Sequence, residues 1–154
     1  MKIWKDSISI DNLNATNKGT IHESLGILFV KIGTNFIEAT MPVNEKTKNP
    51  VGILHGGASV VLAESLGSVA SLLVSGSQNK QCVGIEVSAS HLRSIQKGSI
   101  LGRATPIRLG KLIHVWEIQI FDAAQPKELP ICQARLTVMV KDQKPSIPHS
   151  ERII

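Results

Sequence analysis

Two hydrophobic rhythms divide the chain. Residues 25–32 form an apolar run of strand length, and 36–43 alternate, with Ile37, Ala39, Met41 and Val43 on one side and Glu38 and Thr40 on the other. Gly33-Thr34-Asn35 between them is a turn signal, so the two runs predict a hairpin. Upstream, Asp11 followed by Asn12-Leu13-Asn14-Ala15 predicts a cap and a short helix within 9–15. After a polar loop at 44–50 and His55-Gly56-Gly57, the pattern changes. Residues 58–74 lack period-2 alternation and run too long for an ordinary strand, which predicts a helix. It is apolar on nearly every side, through Val60, Val61, Leu62, Leu66, Val69, Ala70, Leu72 and Leu73. Such a helix has to be wrapped by protein.

Four strand candidates follow a loop at 75–80. Val83, Ile85, Val87 and Ala89 alternate with Cys82, Gly84, Glu86 and Ser88. Residues 99–108 form the next, broken by Pro106. Leu112, His114, Trp116, Ile118 and Ile120 define one face of the third, and Cys132, Ala134, Leu136, Val138 and Val140 one face of the last. The predicted order is helix, two strands, buried helix, four strands. That is an α+β domain over 1–140, a long antiparallel sheet wrapped on one central helix, with 141–154 as a loose tail. A six-stranded sheet has open edges, and pairing with a second copy closes one.

Composition narrows the class. The 154 residues suit one domain, and 42% hydrophobic against 19% charged argues against disorder. Two cysteines make no disulfide scaffold. Glu64 and several serines interrupt the most apolar stretch, which argues against a membrane span, and no apolar segment follows the charged start as in a signal peptide. The expected location is the cytosol, with both thiols reduced. The net charge of +5 is scattered, and with three Phe, two Trp and no Tyr a base-stacking platform is hard to build. Nucleic acid is therefore not the expected partner; a few phosphates on a small ligand fit better.

Two features carry chemistry. Glu64 sits in the apolar helix, where a carboxylate is costly unless paired or used. Its bland reading is a wet stripe with Ser68 one turn on. His55-Gly56-Gly57 opens the helix: the glycines allow close approach to backbone, and the first N–H groups are unpaired and partly positive. They can hold a developing oxyanion, although a plain tight turn explains the same residues. Gly56 and Glu64 lie eight residues apart, about 12 Å along one helix. A site using both therefore takes them from two subunits. His91-Leu92-Arg93-Ser94 and Gly110-Lys111 could hold phosphates, or be plain loop chemistry. The five histidines show no metal spacing, and neither a dinucleotide fingerprint nor a P-loop is present. Ser65 lies within the helix rather than at a strand-to-helix elbow, which excludes a serine triad of that kind.

The residues from Asn49-Pro50-Val51-Gly52 through His55-Gly56-Gly57 to Ala63-Glu64-Ser65-Leu66-Gly67-Ser68 resemble the signature of hotdog-fold acyl-CoA thioesterases. Glu38-Ala39-Thr40-Met41-Pro42-Val43, Val83-Gly84-Ile85-Glu86, His91-Leu92-Arg93-Ser94 and Val115-Trp116-Glu117-Ile118 match in register. The resemblance spans about 3–140. It is nearest the branch holding the 1,4-dihydroxy-2-naphthoyl-CoA and enterobactin-proofreading thioesterases.

That resemblance implies a dimer with composite sites, usually assembled into tetramers, and no cofactor beyond the coenzyme A of the substrate. It implies Glu64 as nucleophile or general base, and the Gly56 N–H with His55 polarising the carbonyl. Ser68 would position the attacking water, the side chain at Asn49 would hold the water or the leaving thiol, and His91, Arg93 and Ser94 would lie along the nucleotide end of coenzyme A. On their own chemistry, Gly57 and Lys111 join these as candidates for binding it. The branch commonly has Gln where this chain has Asn49, and asparagines where it has serines in 86–90. The implied reaction is hydrolysis of an aromatic acyl-CoA. Rival readings are an aryl thioester on a carrier protein, a hotdog module that binds acyl-CoA without hydrolysis, and, more weakly, a hydratase.

Overall fold

The computed structural model describes residues 2–76 and 80–142. Three helices and six strands follow in the order α1 (Ile10–Ala15), α2 (Ile21–Leu25), β1 (Leu28–Ile32), β2 (Ile37–Pro42), α3 (Gly56–Ser75), β3 (Lys80–His91), β4 (Ser99–Leu109), β5 (Ile113–Asp122) and β6 (Cys132–Asp142). The strands form one antiparallel sheet in the order β1-β2-β4-β5-β6-β3. It curls around α3, which is the α+β architecture expected. α3 is the one described helix long and apolar enough to cross a membrane, at mean hydropathy 1.7, and here it is the core of the sheet.

The interior strands bury one face because their side chains alternate. Trp116, Ile118 and Ile120 of β5 and Cys132, Ala134, Leu136 and Val138 of β6 join one core with α3, and Val140 is buried on the same face of β6. Leu112, expected to begin the β5 face, lies in the preceding turn and is exposed. Close packing needs glycine at two places: a Cβ on Gly67 would meet Leu136 at 2.4 Å, and one on Gly102 would meet Leu66 at 2.6 Å. A buried polar contact also ties helix to sheet. The Trp116 indole donates to Ser71 Oγ at 2.7 Å in the buried core. Trp4 stacks on Trp116 at 6.3 Å, and its own indole donates to the Gly33 carbonyl.

Several expectations change. The cap of α1 is Ser9, accepting from the Asn12 N–H, rather than Asp11. Residues 25–32 are not one strand: α2 ends at Leu25, Gly26 takes φ +69, and only Leu28–Ile32 pair. Pro106 does not end β4; a register shift between Pro106 and Arg108 absorbs it. On β3 a bulge between Gly84 and Glu86 reverses the alternation. Cys82 and Gly84 thus point inward with Val140 and Val138, then Val87 and Ala89 with Leu136 and Ala134. Val83 and Ile85 leave the expected face, and Ile85 is 52% exposed. β6 runs two residues past 140, and 143–154 lie outside the described residues.

Ser71→Ala leaves the Trp116 N–H buried without an acceptor. The expected loss is about 1–3 kcal/mol, read as a lower denaturant midpoint at unchanged slope.

Candidate active site

Glu64 lies two turns into α3, half-buried, on the stripe that the sheet leaves least covered. Its room comes from β3: a Cβ on Gly84 would stand 1.9 Å from Glu64 Oε1. Ser68 Oγ donates to the same oxygen at 3.4 Å. Burial raises the Glu64 pKa above its ordinary value, and the Ser68 hydrogen bond partly offsets this. The carboxylate opens into a groove of about 430 Å³ with apolar walls that include Val60, Val61, Val69 and Val87. The groove also receives Ile21 and His22 from α2, which sequence patterning missed. Five residues carry too little periodicity to announce that helix, though Thr20 is a legible cap.

The start of α3 makes a second feature. His55 caps the helix, its Nδ1 accepting from the Gly57 N–H at 2.8 Å, so the neutral ring carries its proton on Nε2. The His55 carbonyl takes the Ala58 N–H. Of the opening donors, the Gly56 N–H has no acceptor among the described residues, and Gly56 lines a cleft of about 340 Å³ with Asn49, His91, Arg93 and Ser94. A Cβ on Gly56 would meet His91 Nε2 at 2.7 Å, so glycine is what lets the imidazole lie against the helix start.

The structure therefore gathers most of the expected residues, in two places. Asn49, Gly56, His91, Arg93 and Ser94 share one cleft; Glu64 and Ser68 share the other groove. Asn49 Oδ1 accepts from the Val51 and Ile53 N–H groups at 3.0 and 3.3 Å, so the short side chain closes its own loop and leaves its NH₂ for the cleft. Arg93 is anchored on the neighbouring loop, through Glu128 at 3.2 Å and the Leu129 carbonyl. Gly57 lines neither cavity. Lys111 lies elsewhere: its turn sits beside Asp142, at the end of β6 opposite Cys132, the partner of His91. The two ends are about 33 Å apart at ~3.3 Å per residue. Among the described residues, no three His, Cys, Asp or Glu side chains gather as a metal site would need.

A basic carboxylate in an apolar groove, with helix N–H donors on the same scaffold, can add water to an activated carbonyl. A hotdog sheet wrapped on one helix and carrying that pair defines the class, and the comparisons agree. The chain belongs to the thioesterase superfamily, whose family model matches residues 51–128. It is 46% identical over 138 residues to the 1,4-dihydroxy-2-naphthoyl-CoA hydrolase of Escherichia coli, covering 90% of this chain and 98% of that one. It is 43% identical to the proofreading thioesterase EntH of Cronobacter sakazakii, with the same coverage. The crystal structure of a glutamine-to-alanine variant of a Pseudomonas aeruginosa thioesterase superposes with a TM-score of 0.88, at 42% identity, over 92% of this chain and 100% of that one. The protein is a thioester hydrolase.

Gly84→Ala places a methyl group where the Glu64 carboxylate sits and pushes the flexible carboxylate off Ser68. Thioester turnover is expected to fall about 10- to 100-fold, with stability changed by less than about 1 kcal/mol. Parallel kinetic and thermal melts check this.

Proposed function

We propose that the protein hydrolyses aromatic acyl-CoA thioesters to free acid and coenzyme A, in the cytosol, as a homodimer with composite sites. The observation that carries this is the separation of the half-sites: within one chain Gly56 and Glu64 line different cavities. They stand about 12 Å apart on one helix. A second copy, its α3 antiparallel to the first, brings Gly56 of one chain to Glu64 of the other. The surface for it exists. β3 is a sheet edge with Ile85 and Val87 52% and 37% exposed, and the partly covered stripe of α3 lies beside it. Pairing of such dimers into a tetramer is part of the same reading.

In this dimer the Gly56 N–H polarises the thioester carbonyl. Glu64 drives addition, either by attacking the carbonyl carbon or by taking a proton from the attacking water. Ser68 holds the carboxylate in place. The carbon–sulfur bond then breaks and the sulfur leaves as a thiolate that takes up a proton. Where Glu64 is the nucleophile, water next hydrolyses the acyl–Glu64 anhydride to the free acid, and where it is the base, the acid forms directly. The His91, Arg93 and Ser94 rim receives the coenzyme A arm, with Asn49 donating near the reacting sulfur. Lys111, on the far end of its own chain, has no place in that cleft within one protomer.

A second reading has its own support. The relative from Cronobacter sakazakii is named a proofreading thioesterase. Under that reading, the acyl group arrives on the pantetheine arm of a carrier protein. The arm is common to both substrates, so Arg93 separates them: its replacement weakens turnover of coenzyme A thioesters more than of carrier-linked ones.

Thiol release from a panel running from acetyl-CoA to benzoyl- and hydroxynaphthoyl-CoA tests the proposal. Aromatic members are expected to turn over fastest, and Glu64→Ala to lose about 10²–10⁴-fold. Equal rates in the two proteins would overturn the role of Glu64. The reaction needs the carboxylate ionised, so activity is full above the raised Glu64 pKa and fades as pH falls through it. The Ser68 bond lowers that pKa, so Ser68→Ala is expected to move the acid limb of kcat/KM to higher pH. An unmoved or lowered limb would remove Ser68 from the role.

A further inference from the structure

The Glu64 groove holds a second titratable side chain that no step above uses. His22 enters it from α2. A short relay sets the ring. Asn17, 5% exposed, donates through Nδ2 to the Ile27 carbonyl at 2.9 Å, which turns its Oδ1 toward His22 Nδ1 at 3.0 Å. An amide oxygen only accepts, so Nδ1 carries the proton and Nε2 of the neutral ring carries a lone pair. Burial lowers the His22 pKa, which favours that neutral ring. Phe29, edge-on at 5.9 Å, supports the imidazole.

Nε2 has no hydrogen-bond partner among the described residues. Only His114 Nδ1 among them is both sealed from solvent and unpaired, so His22 Nε2 is accessible. The remaining polar groups of the groove are committed: Ser68 to Glu64, and Ser65 to the Val61 carbonyl at 2.7 Å. Beside the Glu64 carboxylate, which the reaction uses, His22 Nε2 offers this apolar groove a lone pair that can read a donor.

We propose that His22 determines specificity, its Nε2 accepting a hydrogen bond from a hydroxyl on the acyl group. This rests on the thioesterase reading only in seating the acyl group in the Glu64 groove. The selected class is hydroxyl-bearing acyl thioesters. An unsubstituted ring leaves Nε2 unpaired, a methoxy group has no proton to give, and a carboxylate meets a lone pair. A site built around a hydroxyl discriminates against its absence better than an apolar pocket discriminates by size.

The test uses thioether analogues of acyl-CoA that cannot be hydrolysed, carrying phenacyl or 2-, 3- or 4-hydroxyphenacyl groups, titrated calorimetrically into the full-length protein. The best hydroxylated isomer is expected to bind about tenfold tighter than phenacyl, and its methoxy counterpart no tighter than phenacyl. His22→Leu is expected to bring the ratio near one while leaving phenacyl binding within about threefold. His22→Phe, which keeps a ring in the space, serves if the leucine variant does not fold. A preference for no isomer in the wild type, or one that survives both substitutions, would overturn the proposal. The imidazole nitrogen spectrum needs no variant: an Nδ1-protonated ring is expected, and an Nε2-protonated one would contradict the acceptor role. Because binding is read without hydrolysis, failed thioester turnover with an intact hydroxyl preference would count against the thioesterase reading alone. Rapid turnover with no preference would count against His22 alone.

Discussion

Everything in this molecule follows from the need to cover α3. Twenty residues, Gly56 to Ser75, carry one ionisable side chain. No single flat surface can bury such a helix, so the sheet must curl, and six antiparallel strands supply the curve. The packing is tight enough that glycines at 67 and 102 leave no space for a methyl group. Yet one chain closes only part of the circumference. Val60, Val61, Glu64, Ser68 and Val69 remain half-covered on one side, and the groove forms there. The site is the gap in the wrapping.

A carboxylate survives at that gap because its surroundings stop short of full burial. Ser68 gives it one hydrogen bond, and Gly84 gives it room. The bulge on β3 provides the room: it lets Gly84 face the helix and still returns Val87, three residues later, to the groove wall. Without the phase change, Val83 and Ile85 would face α3, and a β-branched side chain would compete with the carboxylate for the same volume. The bulge that disrupts the strand's pattern is thus what makes the strand compatible with Glu64.

The legible parts of the sequence were those where one physical demand acts alone. β5 and β6 lie inside the sheet with one buried face, so their alternation survives into the structure almost residue for residue. The long helix was legible from its length and lack of alternation. Glu64 and Gly56 stood out because a charge in an apolar helix and a glycine pair at its start are both anomalies. β3 misled because an edge strand answers to two surfaces and its bulge leaves no mark beyond Gly84. Gly110-Lys111 at a strand start suggested a phosphate contact alongside His91 and Arg93, but the register of β3 with β6 separates them. His22 was invisible because Asn17 and Ile27, which aim it, meet it only after α2 packs on β1. The caps were half legible: Thr20 and Ser9 are ordinary cap residues, but Asp11 competed for the second role.

The distance between Gly56 and Glu64 has a chemical use as well as a geometric one. A helix N-terminus stabilises negative charge, and the effect fades within about one turn. A carboxylate placed there would be held as a weakly basic anion. Glu64 stands two turns in, beyond the reach of its own helix start, and burial keeps it more basic than an ordinary glutamate. An oxyanion needs the opposite environment, with unpaired N–H groups close by. One helix offers both environments, but not at one point. Two antiparallel copies bring the electrophilic end of one helix to the basic middle of the other. In the dimer proposed above, the carbonyl lies between the two, with the N–H donors of one chain facing its oxygen and the carboxylate of the other facing its carbon or the attacking water.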